Sequence, residues 1–240
     1  MKNNKKPRSG YKGRNYNVDF FRKILTEVQA YWLGFFFADG FITPSKGTVG
    51  ITLAFEDFNH LLKLALSVGL DASAIKIYKR SPGNWQVQDS VRLLFARRPF
   101  YESFLELGYS RRKADRVQFP DIPAHLLRHF IRGMFDGDGY VNLHISKGKY
   151  KDIARFHWGL SVANEQFAQL ILRTLREATG EHIHLGRDHS IWRVNATNQV
   201  ALIALYRYLY EDATVFLERK HNKFLEAINF DRHGNQSPAA

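Results

Sequence analysis

Alternating and helically spaced apolar residues follow one another in the same order twice along the chain. In the first half the pattern predicts strands at 40–45, 48–55, 75–80 and 86–96, and helices at 58–68 and 99–107. In the second half it predicts strands at 140–146, 154–162, 182–187 and 190–196, helices at 165–179 and 199–210, and a last helix at 216–228. Internal similarity of this kind indicates a duplicated unit.

A shared motif precedes each of these series. Residues 31–40 read YWLGFFFADG and residues 130–139 read FIRGMFDGDG, with glycine at the fourth position and Asp-Gly at the end of both. Each motif predicts an apolar helix, so each half has the order α-β-β-α-β-β-α. We therefore predict an α+β fold of two pseudo-symmetric halves, packed about a pseudo-twofold axis with antiparallel sheets forming a saddle.

The motif residues indicate what meets at that axis. Gly34 and Gly133 have no Cβ, so the two helices can approach each other closely there. Asp39 and Asp138 then lie together at the helix C-termini, where the helix dipole disfavours a carboxylate unless a cation is present. Hard oxygen ligands favour Mg²⁺ over zinc. The alternative is that each Asp-Gly pair only begins a turn.

Composition supports a polyanionic partner. The 240 residues carry a formal net charge of +12, and 45% are hydrophobic, so the chain folds and presents a positive field. It contains no cysteine, which excludes disulfides, thiol nucleophiles and thiolate zinc sites. The longest apolar run, 30–38, is about half the ~20 residues that a membrane-spanning helix needs. We predict binding to nucleic acid and none to membranes.

The predicted strands place polar side chains on one face, where long amides and arginines can pair with base edges in a major groove. The predicted DNA-binding residues are Lys76, Tyr78, Arg80, Gln86, Gln88, Arg92, Asn142, His144, Arg155, His157, Ser161, His182, His184, Arg193 and Asn195. The opposite face of the second half holds Val141, Leu143, Ile145, Phe156, Trp158, Leu160 and Val162. An ordinary solvated sheet face is the alternative. His182 and His184 alone supply two ligands, too few for zinc.

At the two motifs, GFFFADG (34–40) and GMFDGDG (133–139), the sequence resembles the LAGLIDADG homing endonucleases of the single-chain type with two motif copies. The first copy departs from the family by placing Phe37 where an acid is frequent. The resemblance implies a site-specific endonuclease that hydrolyses both strands of a long pseudo-palindromic DNA duplex to leave staggered ends. It also implies a monomer.

The resemblance further implies roles for individual residues. Asp39 and Asp138, with the adjoining Gly40 and Gly139, fall on the metal-binding positions, with Mg²⁺ as cofactor and Mn²⁺ or Ca²⁺ as substitutes. Lys113 and Lys220, each in an Arg-Lys pair after a closing helix, match lysines that the family places near its active centres. Cations at the helix C-termini are the alternative reading of these lysines. Asn164 either positions water or caps the next helix.

The expected organisation is a basic arm and lead-in at 1–27, a first half at 28–110, a linker at 111–124, a second half at 125–230 and a disordered tail at 231–240. One alternative is a catalytically weak or inactive DNA- or RNA-binding protein on the same scaffold, such as a maturase or a transcription regulator. Another is an intein insert, which the absence of a splicing nucleophile at the start and of a His-Asn pair at the end disfavours.

Overall fold

The computed structural model describes residues 14–79, 88–116, 118–147 and 153–230. Its helices are α1 (Glu27–Asp39), α2 (Phe58–Ser67), α3 (Arg98–Glu106), α4 (Leu127–Asp138), α5 (Glu165–Thr179), α6 (Gln199–Tyr210) and α7 (Glu218–Ile228). Its strands are β1 (Gly40–Thr43), β2 (Thr48–Ala54), β3 (Lys76–Tyr78), β4 (Ser90–Phe95), β5 (Gly139–Ser146), β6 (Ile153–Val162), β7 (His184–Asp188) and β8 (Ile191–Ala196). Within the described residues, no helix has the length and apolar character needed to cross a membrane.

The two halves share one topology. The first sheet has the order β1-β2-β4-β3 and the second the order β5-β6-β8-β7, with antiparallel pairing throughout. Gly40 pairs with Ile51 in the first sheet, and Gly139 pairs with Leu160 at the corresponding place in the second. The predicted α+β fold of two similar halves is therefore confirmed.

Gln88 was predicted to lie within a strand of the first half, and this prediction is wrong. The neighbouring strands β2 and β3 both end at residues that pair with Ser90, namely Ala54 and Tyr78. On the side of β2 the ladder stops because the chain turns into a short 3-10 helix (Phe55–Asp57), and Gln88 lies before the start of β4. The predicted Arg80, Gln86 and the turn at 82–84 lie outside the described residues.

Two predictions about the second sheet also need correction. His182 precedes β7, which begins at His184 where it pairs with Asn195; in this register His182 would face position 197, beyond the end of β8 at Ala196. Ile145 was placed on the buried face, yet it is 47% exposed. Its pairing partner is Ala154 of β6. Only five residues of β6 pair with β8, and Ala154 is not among them. The Ile145 side chain therefore lies at an end of the sheet that has only two strands.

Helices α1 and α4 form the centre of the molecule. A capping box of Thr26 and Gln29 begins α1, and every residue from 30 to 38 is buried. A Cβ added at Gly34 would collide with the carbonyl oxygen of Phe130, and one added at Gly133 would collide with that of Tyr31. The two helix backbones therefore touch each other where the glycines lie.

A buried arginine in the middle of α4 links this helix to the start of α1. The Arg132 side chain is fully buried in α4, and its Nη2 donates to Oε1 of Glu27, at the start of α1, over 2.6 Å. It also donates to the carbonyl oxygens of Leu209 at 2.8 Å and Val215 at 3.1 Å. Because buried charge is stable only when paired and hydrogen-bonded, this cluster ties α1, α4 and the segment before α7 together.

Substitution of Gly133 by alanine tests the helix contact. We expect a loss of roughly 1–3 kcal/mol or more in the free energy of unfolding, because the methyl group must displace backbone atoms. Denaturant unfolding measures it. The control is Gly186→Ala, since an added Cβ there meets only Nδ2 of Asn195, at 3.7 Å. Equal stability of the two variants would show that α1 and α4 do not meet at the glycine.

Candidate metal centre and nucleic-acid interface

Asp39 and Asp138 are the last residues of α1 and α4, whose C-terminal ends lie side by side. A Cβ added at Gly137 would overlap the Cβ of Ala38 and lie 3.3 Å from Oδ2 of Asp39. The Asp39 carboxylate thus packs against α4 at the residue before Asp138. The close helix contact brings the two acids together at the base of both sheets.

The surroundings of Asp39 oppose its negative charge. Burial, followed by the nearby carboxylate of Asp138, raises the pKa of Asp39, and the cations Lys113, Lys220 and Arg219 only partly offset this. A carboxylate at a helix C-terminus also meets the negative end of the helix dipole. These unfavourable contributions are reduced when a positive ion binds between the acids.

The two predicted lysines occupy different environments. Lys113, which is part exposed, donates from Nζ to Oδ2 of Asp138 over 2.6 Å. Lys220 is buried, and its Nζ donates to the carbonyl oxygens of Phe135, Gly137 and Gly139 at the end of α4. Burial lowers the pKa of Lys220 to about 8. Lys220, in the first turn of α7, thus caps the end of α4, while Lys113 pairs directly with an acid.

Arg116 was missed by the sequence analysis. Its side chain donates to the carbonyl oxygens of Phe37, in the last turn of α1, and of Ser110, and its guanidinium stacks on Tyr109 at 4.0 Å from the ring centroid. It therefore does for α1 what Lys220 does for α4. The run of basic residues at 111–116 was the signal available in the sequence.

The donor set fits a hard divalent cation. It consists of two carboxylates and nearby main-chain oxygens, with no nitrogen or sulfur ligand in either motif, which suits Mg²⁺ and Ca²⁺ better than zinc. The Gly139 carbonyl already accepts a hydrogen bond from Lys220, so Asp39 and Asp138 are the stronger candidates as ligands. Among the described residues no cluster of three or more His, Cys, Asp or Glu side chains could hold a metal ion.

Polar side chains cover one face of the second sheet. The register places these predicted residues on it: Asn142, His144, Arg155, His157, Ser161, His184, Arg193 and Asn195. His182 lies just before β7, with its Nδ1 3.0 Å from Nε2 of His184. These side chains are exposed or partly exposed, as readout of a bound duplex requires.

The corresponding face of the first sheet is less polar. It carries Lys76, Tyr78 and Arg92 together with the partly buried Phe41 and Leu94. Gln88 is exposed in the loop that leads into this sheet. The two halves therefore present different chemistry on equivalent surfaces.

A cavity of about 320 Å³ connects Asp138 to the second sheet face. Its lining includes Lys113, Asp138, Ser161, Asp188 and Arg193. The centre and the polar face are thus parts of one surface. Asn164 lies nearby but caps α5, because its Oδ1 accepts from the Phe167 amide over 3.1 Å.

Solved structures share this architecture. The LAGLIDADG meganuclease I-AabMI bound to uncleaved DNA superimposes with a TM-score of 0.57 at 11% identity, over 85% of this chain and 90% of that one. I-CpaMI bound to uncleaved DNA gives 0.54 at 11% identity over 85% and 90%, and I-SmaMI bound to cleaved DNA gives 0.51 at 12% over 85% and 88%. This chain has the LAGLIDADG meganuclease fold. No protein-family model and no curated protein matches the sequence.

At the centre of this LAGLIDADG fold, the negative charge of Asp39 lies in unfavourable surroundings. The variant Asp39→Asn tests whether this charge destabilises the folded protein. Because the folded state raises the pKa of Asp39, its contribution to stability is present below the ordinary aspartate pKa and is lost as the pH rises through the raised pKa. With a chelator at pH 7 the variant should melt at a higher temperature than the wild type, by about 2–4 °C for each 1 kcal/mol gained. This gain should disappear near pH 3.

Calorimetry at the two pH values measures this effect. The exposed Asp121 provides the control, since Asp121→Asn removes the same charge outside the centre and should leave the melting temperature unchanged. If Asp39→Asn melts below the wild type at pH 7, the charge of Asp39 does not destabilise the folded protein.

Proposed function

We propose that this protein is a divalent-metal-dependent endonuclease that cuts both strands of a specific DNA duplex and leaves staggered ends. The observation that carries the proposal is the pair Asp39 and Asp138, held at adjoining helix ends between two sheets. Two equivalent acids related by pseudo-symmetry suit a substrate whose two strands are also related by twofold symmetry.

The similar structures support the choice of substrate. The three meganucleases compared above are bound to uncleaved or cleaved DNA, and a further I-SmaMI structure was determined on an uncleaved DNA target in the presence of calcium ions, with a TM-score of 0.51. The net charge of +12 suits the same partner, because Lys and Arg release the counterions condensed on a duplex.

Asp39 and Asp138 would hold the cation, for which we propose Mg²⁺, with Mn²⁺ or Ca²⁺ able to occupy the same oxygens. A bound divalent ion activates water and neutralises charge at the scissile phosphates. Lys113, which contacts Asp138, would stabilise the charge that develops on the phosphoryl and leaving oxygens. Lys220 would act by fixing the end of α4, so we propose it as a positioning residue.

The two sheet faces would bind the flanking DNA. One chain supplies both halves, at 28–110 and 125–230, so we propose a monomer that reads a long pseudo-palindromic site. The exposed side chains of β5 to β8 would contact base edges in one half-site, and Lys76, Tyr78 and Arg92 would bind the bases or the backbone of the other.

Asp39→Asn and Asp138→Asn should each lower double-strand cleavage by orders of magnitude and leave duplex binding largely intact. Removal of a metal ligand disables the chemistry more than the many contacts to the DNA backbone. The assay incubates each variant with Mg²⁺ and a pool of randomised duplexes, followed by sequencing of the cut ends. Binding is measured in parallel with Ca²⁺.

Asp121→Asn serves as the control and should cut like the wild type. Normal cleavage by both variants of the paired acids would overturn the assignment of the centre. Tight, sequence-specific binding with no cleavage by the wild type would favour the inactive DNA-binding alternative instead.

A further inference from the structure

Arg92 and Arg193 occupy equivalent positions in the two sheets. Arg92 of β4 pairs with Thr52 of β2, and Arg193 of β8 pairs with Ser161 of β6. In each sheet, the residue after the arginine pairs with a residue of the central strand. That central residue pairs in turn with the glycine that follows a motif aspartate. Both arginines thus lie on the polar face close to the paired acids.

Different neighbours hold these two arginines. The guanidinium of Arg92 lies 4.9 Å from the ring centroid of Tyr78 and 5.6 Å from that of Phe41, and its Nε donates to Oγ1 of Thr52 over 2.8 Å. Aromatic rings hold a guanidinium without cancelling its charge.

Arg193 instead pairs with a carboxylate. Its Nη2 lies 2.6 Å from Oδ2 of Asp188. Tyr78 pairs with Ser90, two residues before Arg92, and Asp188 pairs with Ile191, two residues before Arg193. Asp188 is therefore the pseudo-symmetric counterpart of Tyr78, so an aromatic ring lies beside the arginine in one half and an acid lies beside it in the other.

This exchange changes what each arginine can do. An ion pair of Asp and Arg has a net charge of zero, so its attraction to a DNA phosphate is weak. An arginine between aromatic rings keeps its positive charge and its full attraction to the phosphate. The carboxylate fixes the direction of the guanidinium and leaves Nε, Nη1 and a second Nη2 hydrogen able to donate. Two such donors match O6 and N7 of guanine.

We propose that Asp188 is a positioning residue that makes Arg193 a reader of base identity, whereas Arg92 acts mainly as a cation toward the DNA backbone. This inference rests on the proposed function, and it predicts that the two half-sites differ in how their binding depends on salt and on sequence. The side chains of Arg193 and Asp188 are 44% and 45% exposed. Because exposed ion pairs add little stability, variants at these two positions should fold.

The test compares the salt dependence of DNA affinity in Ca²⁺ for the full-length wild type, Asp188→Asn and Asp188→Glu, using a duplex selected from the randomised pool. Asp188→Asn frees the charge of Arg193, so the slope of log affinity against log salt should steepen by about 1. That corresponds to about 3- to 4-fold more loss between 50 and 200 mM salt. Asp188→Glu keeps the pair and should retain the wild-type slope.

Profiling the same proteins against every single-base change of the duplex gives the second readout. Asp188→Asn should lose about tenfold discrimination at one base position, as should Arg193→Ala. The reciprocal Tyr78→Asp places an acid beside Arg92 and should flatten the slope by about 1. This variant also tests the idea if Asp188→Asn fails to fold.

Asp19→Asn is the matched control, since it removes an exposed carboxylate that pairs with Arg22 in the lead-in to α1, and it should leave the base profile unchanged. A wild-type slope and base profile in Asp188→Asn, in a protein that binds duplex normally, would overturn this inference alone. Absence of any duplex binding by the wild type would overturn both it and the proposed function.

Discussion

The contact between the backbones of α1 and α4 is the constraint on which the rest of the structure depends. Gly34 and Gly133 remove the two side chains that would separate the helices, so the helix ends meet and each leads directly into the first strand of its own sheet. The position of Asp39 relative to Asp138, and of one sheet relative to the other, follows from that contact. A displacement of the two helices by about a few tenths of an ångström would shift every side chain on the two polar faces, because packed interiors transmit strain.

The same contact creates an electrostatic problem that the surrounding residues only partly solve. Two helix C-termini and two carboxylates share one region, and Lys113, Lys220 and Arg116 approach it from outside the central helices. Two of these cations donate to main-chain carbonyls at the helix ends, so they satisfy the backbone more than the acids. Burial and the carboxylate of Asp138 still raise the pKa of Asp39, because the nearby cations offset them only in part. If the proposed cation binds between the acids, stability without metal and readiness to bind metal are opposed at this centre.

Much of this arrangement could be predicted from the sequence because it is local or repeated. The duplicated motif, the order of elements and the alternation along β5 to β8 all leave periodic signals. Contacts between distant residues leave none. Arg132 is one polar residue within an apolar motif, and nothing near it in sequence indicates that Glu27 neutralises it. Likewise, the end of a strand depends on where its partner ends, which explains the errors at Gln88, His182 and Ile145.

The first motif has a phenylalanine, Phe37, where the second motif has an acid, and the different surroundings of the two positions explain this difference. The acid of the second motif, Asp136, is buried and accepts hydrogen bonds from the Tyr31 and Tyr210 hydroxyls and from the Leu217 amide. These partners belong to α1, α6 and the segment that leads into α7. The acid therefore anchors the segment that delivers Lys220 to the end of α4. At Phe37 the neighbours are instead the rings of Phe130 and Tyr109, so an aromatic side chain completes the core there. The two copies differ because their surroundings differ, while the shared helix contact places the acids at their ends side by side.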